Sequence, residues 1–95
     1  MVRWTYSAKN GLASIYAYIA GDSVFYAKKV VDEIISTSEI LTDFPYMGRE
    51  IEEISDKNIR EIIVYSYRII YKVLQEHVII LAIVHCKMEL TEDLL

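Results

Sequence analysis

The sequence predicts an α+β fold of order β-α-α-β-β-β, in which a helical hairpin packs on an antiparallel sheet. Three observations carry this expectation. A short β-branched and aromatic run opens the chain at residues 2–6. Apolar residues then recur at three- and four-residue spacing through about residue 41, the mark of amphipathic helices. From Ile59 to His85 the composition turns to Ile, Val and Tyr, as strands do. Ninety-five residues make one domain, 1–95, because two would each be too small to enclose a core.

The elements follow in order. Val2-Arg3-Trp4-Thr5-Tyr6 reads as the first strand, with Trp4 as a core anchor beneath the helices. Ser7 is placed to cap a helix whose inner stripe is Ala8, Leu12, Ile15 and Ile19. Gly21 suits that helix's C-cap, and Asp22 or Ser23 the next N-cap. The second helix runs to about Leu41, with Ala27, Val31, Ile34 and Leu41 inward. So short a break folds the two helices back as an antiparallel pair. Phe44-Pro45 ends the helical region, since proline disfavours helix in the residue before it. Residues 46–58 lack a period and read as a long acidic connection, in which Gly48 supplies a left-handed turn. Arg49 and Arg60 tie this connection to the sheet through Glu50, Glu52 or Glu53, or else Arg49 belongs to a target-binding rim.

The last stretch divides into strands at about 59–64, 67–74 and 77–86, broken at Tyr65-Ser66 and Gln75-Glu76. Even loops at those breaks set Val64 opposite Tyr67, Ile63 opposite Arg68, Ile70 opposite Leu81 and Arg68 opposite Ile83. Alternation then gives one nearly all-apolar face for the helices: Ile62, Val64, Tyr67, Ile69, Tyr71, Val73, Val78, Ile80, Ala82 and Val84. Cys86 points to that side as a buried thiol. The opposite face mixes Glu61, Arg68, Lys72, His77, His85 and Lys87 with Ile63, Ile70, Ile79, Leu81 and Ile83. It is too apolar to be left fully wet and too charged to be plain core. Either the tail 88–95, with Met88, Leu90, Leu94 and Leu95, covers it, or a partner does.

Charge and cysteine usage narrow the function. Ten Lys+Arg against fourteen Asp+Glu give a formal charge of -4, which argues against a general nucleic-acid binder. The cations are scattered, and the Lys28-Lys29 pair reads as a solvated helix face. A single cysteine forbids an internal disulfide or a cysteine-based metal cluster and suits a reducing compartment. Neither His77 nor His85 has metal-ligand spacing, and no cofactor is expected. The opening residues lack a signal core, and the longest apolar run, Val78 to Val84, is strand-sized, so a cytoplasmic protein with no membrane partner is expected.

Two constellations have functional potential. Cleavage of RNA by its 2′-OH needs a base, a cation near the non-bridging oxygens and an acid for the leaving oxygen. His85 can serve as acid or base and Arg68 as the cation, since the expected register makes them diagonal neighbours, roughly 7–8 Å apart. The alternative is that Arg68 pairs with diagonal Glu61 and His85 merely ends a strand. Tyr16, Tyr18 and Tyr26 fall on the helical hairpin, where they either edge a groove for a partner helix or border the core with their hydroxyls in water.

Specific segments carry a family resemblance. They are Trp4 with Ala8, Leu12, Ile15, Tyr18-Ile19-Ala20 and then Ser23; Phe44-Pro45-Tyr46-Met47-Gly48-Arg49-Glu50; Ile59-Arg60-Glu61; Tyr67-Arg68-Ile69-Ile70-Tyr71-Lys72-Val73; and Ile83-Val84-His85. In this order and spacing, over residues 4–87, the chain resembles the RelE/ParE superfamily of toxins from type II toxin–antitoxin modules. The Phe-Pro-x-Met-Gly-Arg, Ile-Arg-Glu and Tyr-Arg-Ile-Ile-Tyr segments are more similar to the ParE branch. That resemblance implies a toxin that binds and inhibits DNA gyrase without bond-breaking, and a cognate antitoxin that neutralises it. The antitoxin is expected on Tyr16, Tyr18 and Tyr26 or along the Ile63, Ile70 and Leu81 stripe. Arg49, Arg68 and Lys87 are the target-binding candidates. The other branch cleaves messenger RNA on the ribosome; here it would use Arg68, His85, Lys72 and Lys87. No Tyr follows Tyr71, and Glu89, Glu92 and Asp93 make the tail acidic where RNA-cleaving relatives tend to be basic. A third alternative is an inactive relative that binds only its antitoxin. Direct DNA binding is not expected except through the antitoxin.

Overall fold

A computed structural model describes residues 1–88 and 90. Strand β1 (Val2–Trp4) leads into helices α1 (Tyr6–Ala20) and α2 (Val24–Ile40). Strands β2 (Arg49–Glu50), β3 (Ile59–Val64), β4 (Tyr67–Val73) and β5 (Val78–His85) follow. They form one five-stranded sheet in the order β1-β5-β4-β3-β2. The meander is antiparallel as expected, but the sheet is mixed: β1 lies parallel to β5, with Val2 opposite Val78 and Trp4 opposite Ile80. A strand followed by a helical hairpin crosses over before its chain returns to the sheet, and such a crossover suits parallel pairing. Among the described residues no helix is long and apolar enough to cross a membrane.

The first helix begins earlier than expected. Its cap is Thr5 rather than Ser7, because the first strand stops at Trp4. The Thr5 hydroxyl accepts from the Ala8 N–H at 3.0 Å and donates to the Leu81 carbonyl at 2.9 Å. Ser23 caps α2 by accepting from the Tyr26 N–H, and Gly21 is the C-cap of α1. The inner face of α2 is Ala27, Val30, Ile34, Ser38 and Leu41, so Val30 replaces Val31 as the buried valine. The helices, β3, β4 and β5 enclose the main core, with Trp4 packed at its margin.

The connection is more ordered than expected. It contributes β2, with Arg49 opposite Glu61 and Glu50 opposite Arg60, and it buries Ile51 and Ile54. Those two isoleucines join Ile70, Ala82 and Leu90 in a second core on the sheet face away from the helices. The mixed face is therefore covered by the chain itself, through the connection and Leu90. The expected contribution of Leu94 and Leu95 lies outside the described residues. Gly48 does not have a positive φ. It is required for close approach instead: a Cβ there would lie 2.5 Å from the Tyr71 hydroxyl and 2.6 Å from the Glu61 carbonyl.

A β-bulge corrects the expected faces. Near the β4–β5 hairpin the expected register holds, with Tyr71 opposite Ile80 and Val73 opposite Val78. Between Ile70 and Tyr71 the partner jumps from Ala82 to Ile80, leaving Leu81 unpaired. Beyond it every β5 side chain changes sides. Ile83 turns into the main core and Ala82 into the second one, the reverse of expectation. Cys86 is exposed, not buried inward. His85 lies opposite Tyr67, on the helix side of the sheet.

Candidate partner-binding and target-binding surfaces

An open groove of about 500 Å³ lies between the helical hairpin and the distal end of β5. Its floor is Ile15, Val30 and Ile83, and its walls include Tyr18, Tyr26, Tyr65, Tyr67, His85 and Met88. Gly11 brings α1 close enough to form one edge, since a Cβ there would meet the Ile83 carbonyl at 2.9 Å. Two edge-to-face contacts stiffen the rim. Tyr26 meets Tyr65 with ring centroids 6.2 Å apart, and Tyr67 meets His85 at 5.7 Å. Tyr65 is held at a φ of 55°, the first position of a two-residue hairpin loop where positive φ matches strand twist. His85 Nδ1 accepts from the Lys87 N–H at 3.1 Å, which fixes the ring at the end of β5.

The structure divides the sequence-predicted partner residues. Tyr18 and Tyr26 line the groove, whereas Tyr16 is exposed outside it. Ile63 is exposed on the other sheet face. Ile70 is fully buried in the second core, and Leu81 is half-buried at the bulge against the same core. The expected Ile63, Ile70 and Leu81 stripe is therefore not an open surface. Tyr65, Tyr67 and Met88 complete the groove, although the sequence placed them in a turn, on the helix-facing strand side and in the tail rather than in a partner site. Their signal was weak: Tyr65 sits in a turn, and the face assignment near His85 depended on the bulge.

On the opposite sheet face, Arg68 is at the centre of a charged cluster. Cross-strand geometry sets it diagonal to Glu61 across β3 and β4. Its Nε donates to Glu61 Oε1, while its Nη1 lies 3.2 Å from the Met88 carbonyl and 3.4 Å from Glu53 Oε2. Arg49 donates to the other Glu61 oxygen at 2.8 Å. Glu61 and Arg68 are both buried. Burial works against the Arg68 charge, but the hydrogen bonds to Glu61 and Glu53 outweigh it and hold its pKa above the ordinary value. The Glu53 carboxyl is held below its ordinary value by a hydrogen bond from its own backbone N–H and then by Arg68. The expected Arg68–Glu61 pair is present. The expected anchoring of Arg49 and Arg60 through Glu50, Glu52 or Glu53 is not: Arg49 uses Glu61, and Arg60 donates to the Gly48 carbonyl at 2.9 Å. Arg60 also lies over the Tyr46 ring, 5.0 Å from its centroid. Tyr71 fixes the same loop by accepting from the Gly48 N–H at 2.9 Å. Burial raises the Tyr71 pKa, so its hydroxyl stays protonated.

The remaining cations are dispersed. Lys72 is 3.6 Å from Asp56, Lys87 is exposed beyond β5, and the Arg49 side chain is 68% exposed. Arg68 and His85 lie on opposite faces of the sheet, contrary to their expected diagonal placement. Among the described residues no group of three His, Cys, Asp or Glu is arranged to hold a metal.

The chain thus sets a helical hairpin over one face of a small meander, with a single parallel strand added at the sheet edge. A family described as "ParE toxin of type II toxin-antitoxin system, parDE" matches residues 2–90, and the chain belongs to that family. Among solved structures it is similar to a chain described as "Chromosomal ParDE TA system from P. aeruginosa". The two share 21% sequence identity and a TM-score of 0.71, over 88% of this chain and 92% of that one. No curated protein sequence matches this chain.

Proposed function

We propose that this ParE-family toxin acts in the cytoplasm by occupying a surface of DNA gyrase, without breaking a bond, and that a cognate antitoxin neutralises it. The observation that carries this reading is the separation of Arg68 from His85. A phosphodiester-cleaving site needs a cation and a proton-transfer group converging on one phosphate. Here the guanidinium is buried among its own chain's carboxylates and the imidazole edges a groove across the sheet. Arg49 and Lys87 are the exposed cations available to a target-binding rim.

The antitoxin docks in the tyrosine-lined groove. An amphipathic helix fits such a site by inserting apolar side chains between aromatic walls. Among the described residues the groove's lining contains no Asp, Glu, Lys or Arg, so apolar burial supplies most of the affinity there.

Purified protein added to gyrase tests the target. Supercoiling should fall with increasing toxin, and should fall equally with His85→Ala. Undiminished supercoiling at saturating protein rejects the proposal. Mapping transcript ends after expression tests the ribonuclease alternative; cuts at defined codons, lost in His85→Ala, would establish it instead.

A further inference from the structure

The outward face of α2 has no role in the surfaces described above. At its start Val24 and Phe25 stand side by side, 61% and 79% exposed. One turn on come Lys28 and Lys29, and another turn on come Asp32 and Glu33. Phe25, these four charges and Val24 border a shallow exposed depression. Among the described residues none of the four charged side chains joins an ion pair.

We propose that this face binds the same face of a second copy of the chain, with the two α2 helices antiparallel about a two-fold axis level with Val30 and Val31. A two-fold contact places the same patch on both partners, so the patch must complement itself. This one does. Antiparallel alignment about residues 30 and 31 brings Lys28 toward Asp32 of the other copy and Lys29 toward its Glu33, each pair occurring twice. Helical spacing at 100° per residue sets the first pair on one flank of the contact line and the second on the other. Phe25 then falls opposite Ser36, a large side chain against a small one. A parallel alignment would instead set lysine on lysine and acid on acid. The charge order along the helix therefore selects both the partner and its direction.

The contact is narrow, about three turns of one helix, and below the roughly 800 Å² per partner of a standard stable interface. The chain's formal charge of -4 also opposes self-association. The dimer is accordingly weak, concentration-dependent and salt-sensitive, unlike the apolar groove. It leaves that groove open, because Ala27, Val30 and Ile34 face the core while the self-pairing residues face solvent.

Sedimentation of the full chain over a concentration series is the test. The wild type should dimerise at low salt, with association weakened at least ten-fold by moderate salt. K28E/K29E and D32K/E33K should each stay monomeric at ten-fold higher concentration, with unchanged circular dichroism. An equimolar mixture of the two variants should restore a dimer containing one of each. A wild type that is monomeric throughout the series overturns the proposal. So does a dimer that survives both reversals, which would place the interface elsewhere, or a mixture that stays monomeric.

Discussion

Replacing Arg68 separates a structural role from a catalytic one. Its side chain is nine-tenths buried and joins β4 to Glu61 of β3, to Glu53 of the connection and to the Met88 carbonyl. Arg68→Met leaves Glu61 buried with only the exposed Arg49 as counter-ion. Breaking a buried pair from one side costs about 3–5 kcal/mol. A domain of this size has about 5–14 kcal/mol in total, so the loss is a large share. At about 4–8 °C per kcal/mol, Tm should drop by roughly 12 °C or more. Glu61→Leu alone should cost a similar amount. The pair Arg68→Met with Glu61→Leu should recover most of it, because neither charge is left without its partner and apolar replacements of buried pairs are often neutral. Urea denaturation of all four proteins gives the coupling energy directly. Gyrase inhibition by the double variant then reads function apart from folding, and it should match the wild type within a few-fold. A double variant as unstable as either single one refutes the structural assignment. A stable but inactive double variant refutes the claim that Arg68 does not touch the target.

Thr5→Val should cost about 1–3 kcal/mol in chemical denaturation, since it removes the α1 cap and leaves the Leu81 carbonyl without its hydroxyl donor. Tyr71→Phe should cost about 1–3 kcal/mol by stranding the buried Gly48 N–H, and Gly48→Ala at least as much by overlap with Tyr71. Glu53 has a lowered folded pKa, so its contribution is present above its ordinary 4.5 and is lost as pH falls through the folded value; Glu53→Gln should flatten the stability-versus-pH curve below about pH 5. Binding of the cognate antitoxin should weaken at least ten-fold with Tyr18→Ala or Tyr26→Ala and change little between low and moderate salt, both measured by calorimetry; a steep salt dependence would show that charge pairs, not the groove, supply the affinity.

The order of elements was legible because each has a local cause. Helical spacing in Ala8, Leu12, Ile15 and Ile19, the cap at Ser23, and the Ile-Val-Tyr run from Ile59 act within a few residues of where they are read. The Arg68–Glu61 pair was legible for the same reason, since a two-residue turn fixes its register. The connection was not. Ile51 and Ile54 look like stray apolar residues among acids until the second sheet face needs covering, and that need is set by residues far along the chain. The anchoring of Gly48 was hidden too, because Tyr71 and Arg60 reach it only after β2 and β3 pair.

The bulge at Leu81 decides which β5 side chains share a face with the helices, and the chain shows why it is stable. An inserted residue leaves a carbonyl out of the ladder, which costs free energy unless something else donates to it. Thr5 does so with the hydroxyl that also caps α1, so the turn from β1 into α1 and the irregularity in β5 stabilise each other. The shift it causes is then fixed by packing. With Ile83 turned inward, α1 comes within reach of its carbonyl only at Gly11, where no side chain intervenes. In an unbulged strand Ala82 would take that inner position and leave a void, while Ile83 would crowd the second core. His85 would also stand on the Arg68 face, where a cation and an imidazole could converge on one phosphate. One residue of slippage thus separates a sheet with His85 and Arg68 on one face from one that sets the imidazole at the groove and leaves the arginine in its buried cluster on the other side.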